Sequence, residues 1–388
     1  VGRAIVIDSI NPLDGTQRAA EIAAGRVYNG QNFLVGGSRI ATMDNVRNGH
    51  LENTGEVNLV GPLVVGYEIQ TDTNIHSQGV QGIREVKNTG TITDKAEEGY
   101  RNQATNYLGG LKVGIAGSTT VLSNEETLQL STGLGGGSIK VKRTEDVVDG
   151  NGNVTTPGGY VGYKIGLILT TEDNDTYATS DYRLINGAGG NIAFKGKSSI
   201  GIQIYAPGSN SSHITVKNDG NITMGGIESY GLKLSSRVSD QNMTFENNGN
   251  INISGAGGNS LSSGIAILED GNLTGNASIR AYTGKVLNKS IISVSGGAGN
   301  TGMVLINKAN DNITNETVGK INVTGSKNIG MRADLGTVAT DDTTTRLLPT
   351  AINKGTISIT NGEQNIGMVA NNSDGGTTTV GSETVMKN

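Results

Sequence analysis

The 388 residues carry a formal charge of −5, no cysteine and only 17% charged side chains, which rules out disulfide staples and thiolate chemistry and leaves no basic footprint for nucleic acid. Glycine supplies 60 residues while hydrophobics make up 34% and aromatics 4%, so a wide interior cannot be filled and the core must be narrow. With only 5 prolines and short Ile/Val/Leu runs at alternating spacing, the composition is still not that of a disordered polymer.

The chain opens on "VGRAIVIDSI", which lacks a charged segment followed by a long apolar one and reads as a mature chain. "RAIVID" predicts a strand and "TQRAAEIAAGR" a short helix, so residues 1–50 are expected to form an N-terminal cap or entry coils. From Leu51 onward a motif of apolar, any, Asn, any, Gly, any, Ile/Val recurs: "LENTGEV", "VKNTGTI", "VKNDGNI", "FENNGNI", "VLNKSII" and "AINKGTI", with "ITNETVGKI" carrying two extra residues. A second landmark, glycine followed by alternating apolar residues, recurs at Gly66, Gly166, Gly201, Gly231, Gly264, Gly302, Gly330 and Gly367. The step between the landmarks is nine residues, as from Ile222 to Gly231, or ten, as from Ile357 to Gly367. Such spacing marks a solenoid.

Each unit offers three short segments of period two, for example "HITVKN", "GNITMGG" and "YGLKLSS", with no helical pattern between them. The predicted architecture is all-β: a right-handed parallel β-helix, a three-faced solenoid over residues 51–388. At roughly 4.8 Å per coil, ten to thirteen coils make a rod about 50 to 60 Å long. Segments near 93–138, 142–160, 170–182, 269–285 and 332–348 are too long or irregular for a corner and are expected to project as loops or hairpins. The recurring glycines are expected at corners, where they supply backbone angles that a Cβ forbids. Asn218, Asn247, Asn288 and Asn353 recur at one corner, where stacked amides can each donate and accept.

Chemistry-bearing patterns are sparse. His50, His76 and His213 have no Ser/Asp or His/Glu motif beside them. Asp341 and Asp342 sit in the loop-like "VATDDTTTR", whereas a pair of catalytic acids would occupy matching positions on neighbouring coils. "DGNGN" and "EDNDTYATSD" place oxygen ligands at alternate positions, but after Asp173 the sixth position is Ala178 and the twelfth Leu184, so both read as solvated turns. "GLGGGSIKV" has no GK[ST] after it, and the Asn-x-Ser/Thr triplets at Asn221, Asn252, Asn276 and Asn322 arise readily in Asn- and Thr-rich strands. No catalytic residue, metal site or cofactor is expected. Ligand contact is placed in the 170–182 insert, on Tyr177 and Tyr182 with Asp173 and Asp175, since a tyrosine can stack on a sugar face.

The alternation of the two landmarks resembles the passenger domains of type V autotransporters, and "AINKGTISITNGEQNIGMVA" and "INVTGSKNIGMRADLG" resemble the large autotransporter adhesins of fusobacteria. The likeness covers residues 51–92 and 186–370. It implies a monomeric rod on a bacterial outer surface, or secreted, that adheres to a host-cell glycan or protein receptor or to another bacterium. It also implies an outer-membrane barrel supplied from outside this chain, whose "SETVMKN" end has no long amphipathic strands. Two-partner-secreted exoproteins share such a solenoid, and the other functions open at this point are a polysaccharide-acting β-helix enzyme and a structural stalk for a distal head.

Overall fold

A computed structural model describes residues 5–7, 38–44, 48–60, 64–71, 82–95, 125–129, 138–142, 147–148, 154–156, 164–171, 181–196, 199–206, 213–236, 242–255, 261–268, 283–307, 312–335, 350–372 and 385–387. One coil shows how the sequence makes the fold. "HITVKN" is the strand His213–Asn218, "NITM" the strand Asn221–Met224, and "YGLKLSS" the strand Tyr230–Ser236. Alternation sends Ile214, Val216, Ile222, Met224, Leu232 and Leu234 inward, and all six are buried.

Each strand pairs in parallel with its equivalent one coil away, which builds three sheets. The asparagine sheet has nine strands, from Gly49–Asn53 to Val385–Lys387. The isoleucine sheet has eight, from Glu56–Val60 to Thr356–Ile359. The glycine sheet has ten, from Ile5–Ile7 to Ile366–Asn372. The described residues contain no helix, and the all-β three-faced solenoid is the fold.

Register converts the repeat into columns of like side chains. Val57, Ile92, Ile192, Ile222, Ile251, Ile292, Ile321 and Ile357 stack in one. Tyr67, Leu167, Ile202, Leu232, Ile265, Met303, Met331 and Met368 stack in another. These columns form a single apolar cluster running along the axis, so each coil buries its inner face only against its neighbours and the inner faces of its own other strands.

The three edges of the prism are not equivalent. From the asparagine to the isoleucine sheet the chain turns in two residues, as at 219–220, or four, as at 187–190 and 316–319. From the glycine to the asparagine sheet the connections run from four residues at 308–311 to 14 at 269–282 and 336–349. The third edge has connections of three to nine residues except between Lys95 and Lys164, where 68 residues intervene.

That single insertion corrects the expected inserts at 93–138 and 142–160. Thr91–Lys95 is already a strand of the isoleucine sheet, and Glu125–Gln129 pairs antiparallel with Ser138–Lys142, as Val147–Val148 does with Val154–Thr156. The other three boundaries also shrink. Residues 170–171, 283–285 and 332–335 belong to strands of the stack, and so do 181–182. The described residues make eight full turns, below the ten to thirteen expected. Ten stacked strands span about 45 Å.

The first fifty residues are continuous with the rod where they are described: Ile5–Ile7 pairs with Ser38–Asp44, which pairs with Val64–Thr71. The expected helix in "TQRAAEIAAGR" lies outside the described residues.

Candidate functional site

Two columns of side-chain hydrogen bonds pin the corners. In the first, Asn53 donates to Asn88, Asn88 to Asn186, Asn186 to Asn218, Asn218 to Asn247, Asn247 to Asn288, Asn288 to Asn315 and Asn315 to Asn353, every Nδ2 to Oδ1 distance being 2.7 or 2.8 Å. Asn53, Asn186, Asn218, Asn247, Asn288 and Asn315 also donate to backbone carbonyls. Asn186 donates to the Asn221 carbonyl at 3.1 Å and Asn218 to that of Asn250 at 3.3 Å, tying the corner to the next isoleucine strand. Of the four asparagines singled out in the sequence, Asn218, Asn247 and Asn288 are thus directly joined, and Asn353 follows through Asn315.

The second column stands two residues before each glycine of the second landmark from Gly166 onward, and the sequence reading missed it. The backbone N–H of Lys164 donates to Ser199 Oγ, Ser199 N–H to Ser229 Oγ, Ser229 N–H to Ser262 Oγ, Ser262 N–H to Asn300 Oδ1, Asn300 N–H to Asn328 Oδ1 and Asn328 N–H to Asn365 Oδ1, at 2.9 to 3.3 Å. The signal was present as Ser, Ser, Ser, Asn, Asn, Asn at one offset from the landmark.

The glycines of the second landmark are not corner residues. They lie inside strands, and none of the eight has a positive φ. What they need is space. A Cβ on Gly231 would sit 2.5 Å from the Gly264 carbonyl oxygen and 2.9 Å from Ile251 Cγ2. The same collision, at 2.5 or 2.6 Å, repeats at Gly66, Gly166, Gly201, Gly264, Gly302 and Gly330.

The outer surfaces differ in charge. Along the asparagine sheet, Lys87 meets Glu52 at 3.3 Å, His50 meets Glu85 at 3.1 Å, Lys289 meets Glu246 at 2.6 Å and Lys354 meets Glu316 at 3.2 Å. Lys87, and after it His50, hold the Glu52 carboxyl below its ordinary pKa. The outer positions of the isoleucine sheet are mostly Asn, Thr and Ser, as in the row Thr93, Ala193, Thr223, Asn252, Ser293, Asn322 and Ser358.

The expected ligand contacts fare unequally. Tyr177, Asp173 and Asp175 lie outside the described residues. Tyr182 lies in the strand Asp181–Asn186, whose alternation turns it into the rod; the ring is fully buried, with the Arg84 guanidinium 5.3 Å from its centroid. A ring in that position cannot stack on an external sugar, which removes Tyr182 as a surface contact.

Comparison of the chain with protein-family models, with curated proteins and with solved structures finds no match. The geometry alone therefore carries the functional reading. Lys164, the first residue after the 68-residue insertion, has no exposed surface, and burial lowers its pKa to about 8 although Asp94 pulls it back up. Among the described residues no cluster of three His, Asp or Glu side chains is arranged to hold a metal ion.

Proposed function

We propose that this chain is the passenger rod of a bacterial surface adhesin, attaching to a host-cell glycan or protein or to another bacterium. The observation that carries the reading is the inequality of the three edges. One edge closes in two to four residues at every coil, which a solenoid needs only to turn. Another releases a segment of four to 14 residues at each coil, in a row along the axis, and the third releases a 68-residue insertion. A rigid scaffold with variable segments on selected edges is how recognition surfaces are commonly built.

Chemistry favours adhesion over catalysis. Glu52, Glu85, Asp181, Asp219, Glu246, Glu316 and Asp334 each face a Lys, Arg or His partner, and the neighbouring acids among them are bridged by cations, Glu52 and Glu85 by His50 and Glu85 and Asp181 by Arg183, whereas acid–base hydrolysis of a glycan requires a pair of carboxyl groups facing one substrate. The cysteine-free chain and its neighbour-only stacking suit a protein exported unfolded that assembles coil by coil outside an outer-membrane barrel.

The test is binding of the purified chain to a glycan array and to host and bacterial cells. It is repeated with residues 172–180, 269–282, 336–349 and 96–163 each replaced by a four-residue turn. Loss of adhesion in at least one shortened form is expected. Adhesion unchanged in all four rejects these four segments as the contact, and no adhesion by the intact chain favours a stalk.

A further inference from the structure

The three sheets differ in what they leave open to a partner. On the glycine sheet Val65, Ile165, Ile168 and Ile200 form a second apolar cluster apart from the axial core, and all four are buried. On the asparagine sheet the outward acids are held by cations. The isoleucine sheet is open and neutral in the middle of the rod. In three successive coils its alternation turns Asn191, Asn221 and Asn250 outward in one row and Ala193, Thr223 and Asn252 in the next. None of the six is charged, and Asn221 and Asn250 are exposed.

The rows are regular, preorganised and unsaturated. Coils repeat at about 4.8 Å and the two rows stand about 7 Å apart, two residues along each strand. An extended β-linked chain of pyranose rings advances by nearly the coil repeat at each ring, so successive rings laid along the axis meet equivalent pairs of side chains. Asn250 Nδ2 donates to Asn221 Oδ1 at 3.0 Å, which orients both amides, whereas the side chains of Asn191, Thr223 and Asn252 hydrogen-bond to none of the described residues. Beneath them Ile192, Ile222 and Ile251 are fully buried, so the rows stand on packed strands rather than on a loop. Amides and hydroxyls without a charge match a neutral polyhydroxyl ligand, and they give no complementarity to an acidic glycan or to a charged protein patch.

We propose that the outer face of the isoleucine sheet binds a neutral, extended, β-linked polysaccharide laid along the rod between the row Asn191, Asn221, Asn250 and the row Ala193, Thr223, Asn252. Asn191, Thr223 and Asn252 donate to and accept from the ring hydroxyls, and the small Ala193 leaves room for a ring to approach the sheet. None of the six side chains is an aromatic ring, so the grip on each ring is weak and the sum over coils supplies the affinity. The inference rests on the adhesive reading and deepens it, naming a ligand class and a surface distinct from the projecting segments.

The test is calorimetric titration of the full chain with cellohexaose, with maltohexaose, whose α-linked chain coils, as the control. Cellohexaose is expected to bind saturably with a dissociation constant below about 1 mM, and maltohexaose at least tenfold more weakly. The triple variant Asn221→Ala, Thr223→Ala, Asn252→Ala should keep the melting temperature and lose at least tenfold in affinity for cellohexaose. Lys217→Ala, on the asparagine face, should bind as the parent chain does. No saturation up to about 1 mM cellohexaose overturns the proposal. So do equal affinity for maltohexaose and full affinity in the triple variant. A chain that adheres to cells but ignores cellohexaose overturns this inference alone, whereas one that binds cellohexaose through these rows and adheres to no cell supports the site and removes the adhesive reading.

Discussion

Asn218 and Asn247, 29 residues apart in the chain, are joined side chain to side chain by a 2.7 Å hydrogen bond inside the rod. Asn247 passes the ladder on to Asn288 at 2.8 Å, so one residue serves as acceptor to one neighbour and donor to the other. Asn247→Ala leaves a buried donor and a buried acceptor without each other's partner, and should cost about 3 kcal/mol. Asn353→Ala, at the end of the ladder, removes the acceptor of Asn315 alone from this column and should cost about 1 kcal/mol. Urea midpoints with unchanged slopes check both. Equal losses would mean that the amides do not act as a directional chain.

Asn247→Asp separates polarity from packing. The carboxylate still accepts from Asn218 but faces Asn288 Oδ1 with no proton to donate, so its folded-state pKa should be raised. A raised carboxyl pKa makes the folded state bind more protons, and the variant should gain stability as pH falls from 7 toward the ordinary carboxyl range. A urea series over that interval reads the effect; a variant that instead loses stability relative to the parent chain refutes the assigned donor direction.

The glycines give a pair of opposite outcomes from one substitution. Gly231→Ala forces a methyl to 2.5 Å from the Gly264 oxygen, a backbone atom locked in the sheet, and should cost about 3 kcal/mol or more. Gly55→Ala has no described atom within 4 Å and should be neutral or stabilising by about 0.5 kcal/mol. Thermal midpoints distinguish the two. Similar losses at both sites would show that backbone freedom, rather than close approach, is what the glycines provide.

These cases mark how far the sequence is legible. Period-two segments and the spacing of two landmarks specify three parallel sheets, because each inward residue must find its like in the next coil and only one register achieves that for all three strands. The reason for the glycines is not legible, since a strand glycine and a turn glycine are one letter and only the coil-to-coil approach separates them. Asn186 escapes the motif because its corner takes four residues, against two at Asn218 and Asn247, whereas Asn315, with a corner of the same length, is legible in "ITNETVGKI". The serine and asparagine column hides behind a change of residue at Asn300, although an amide oxygen and a hydroxyl accept the same backbone N–H. Tyr182 misleads as a loop aromatic because the strand begins at Asp181, one residue before it.

Lys164 ties stability to alkaline pH. Burial lowers its pKa from 10.5 to about 8, so between those values the unfolded chain holds a proton that the folded chain has released. Stability should therefore rise as pH increases from 8 toward 10, by roughly 3 kcal/mol at most. Above 10 the trend should reverse: burial raises the pKa of Tyr67 and Tyr230, so the unfolded chain ionises those tyrosines first. Lys164→Met should abolish the rise between pH 8 and 10 while leaving the decline above it. Urea midpoints at half-unit pH steps make the comparison, and a rise that survives the substitution would place its source elsewhere in the rod.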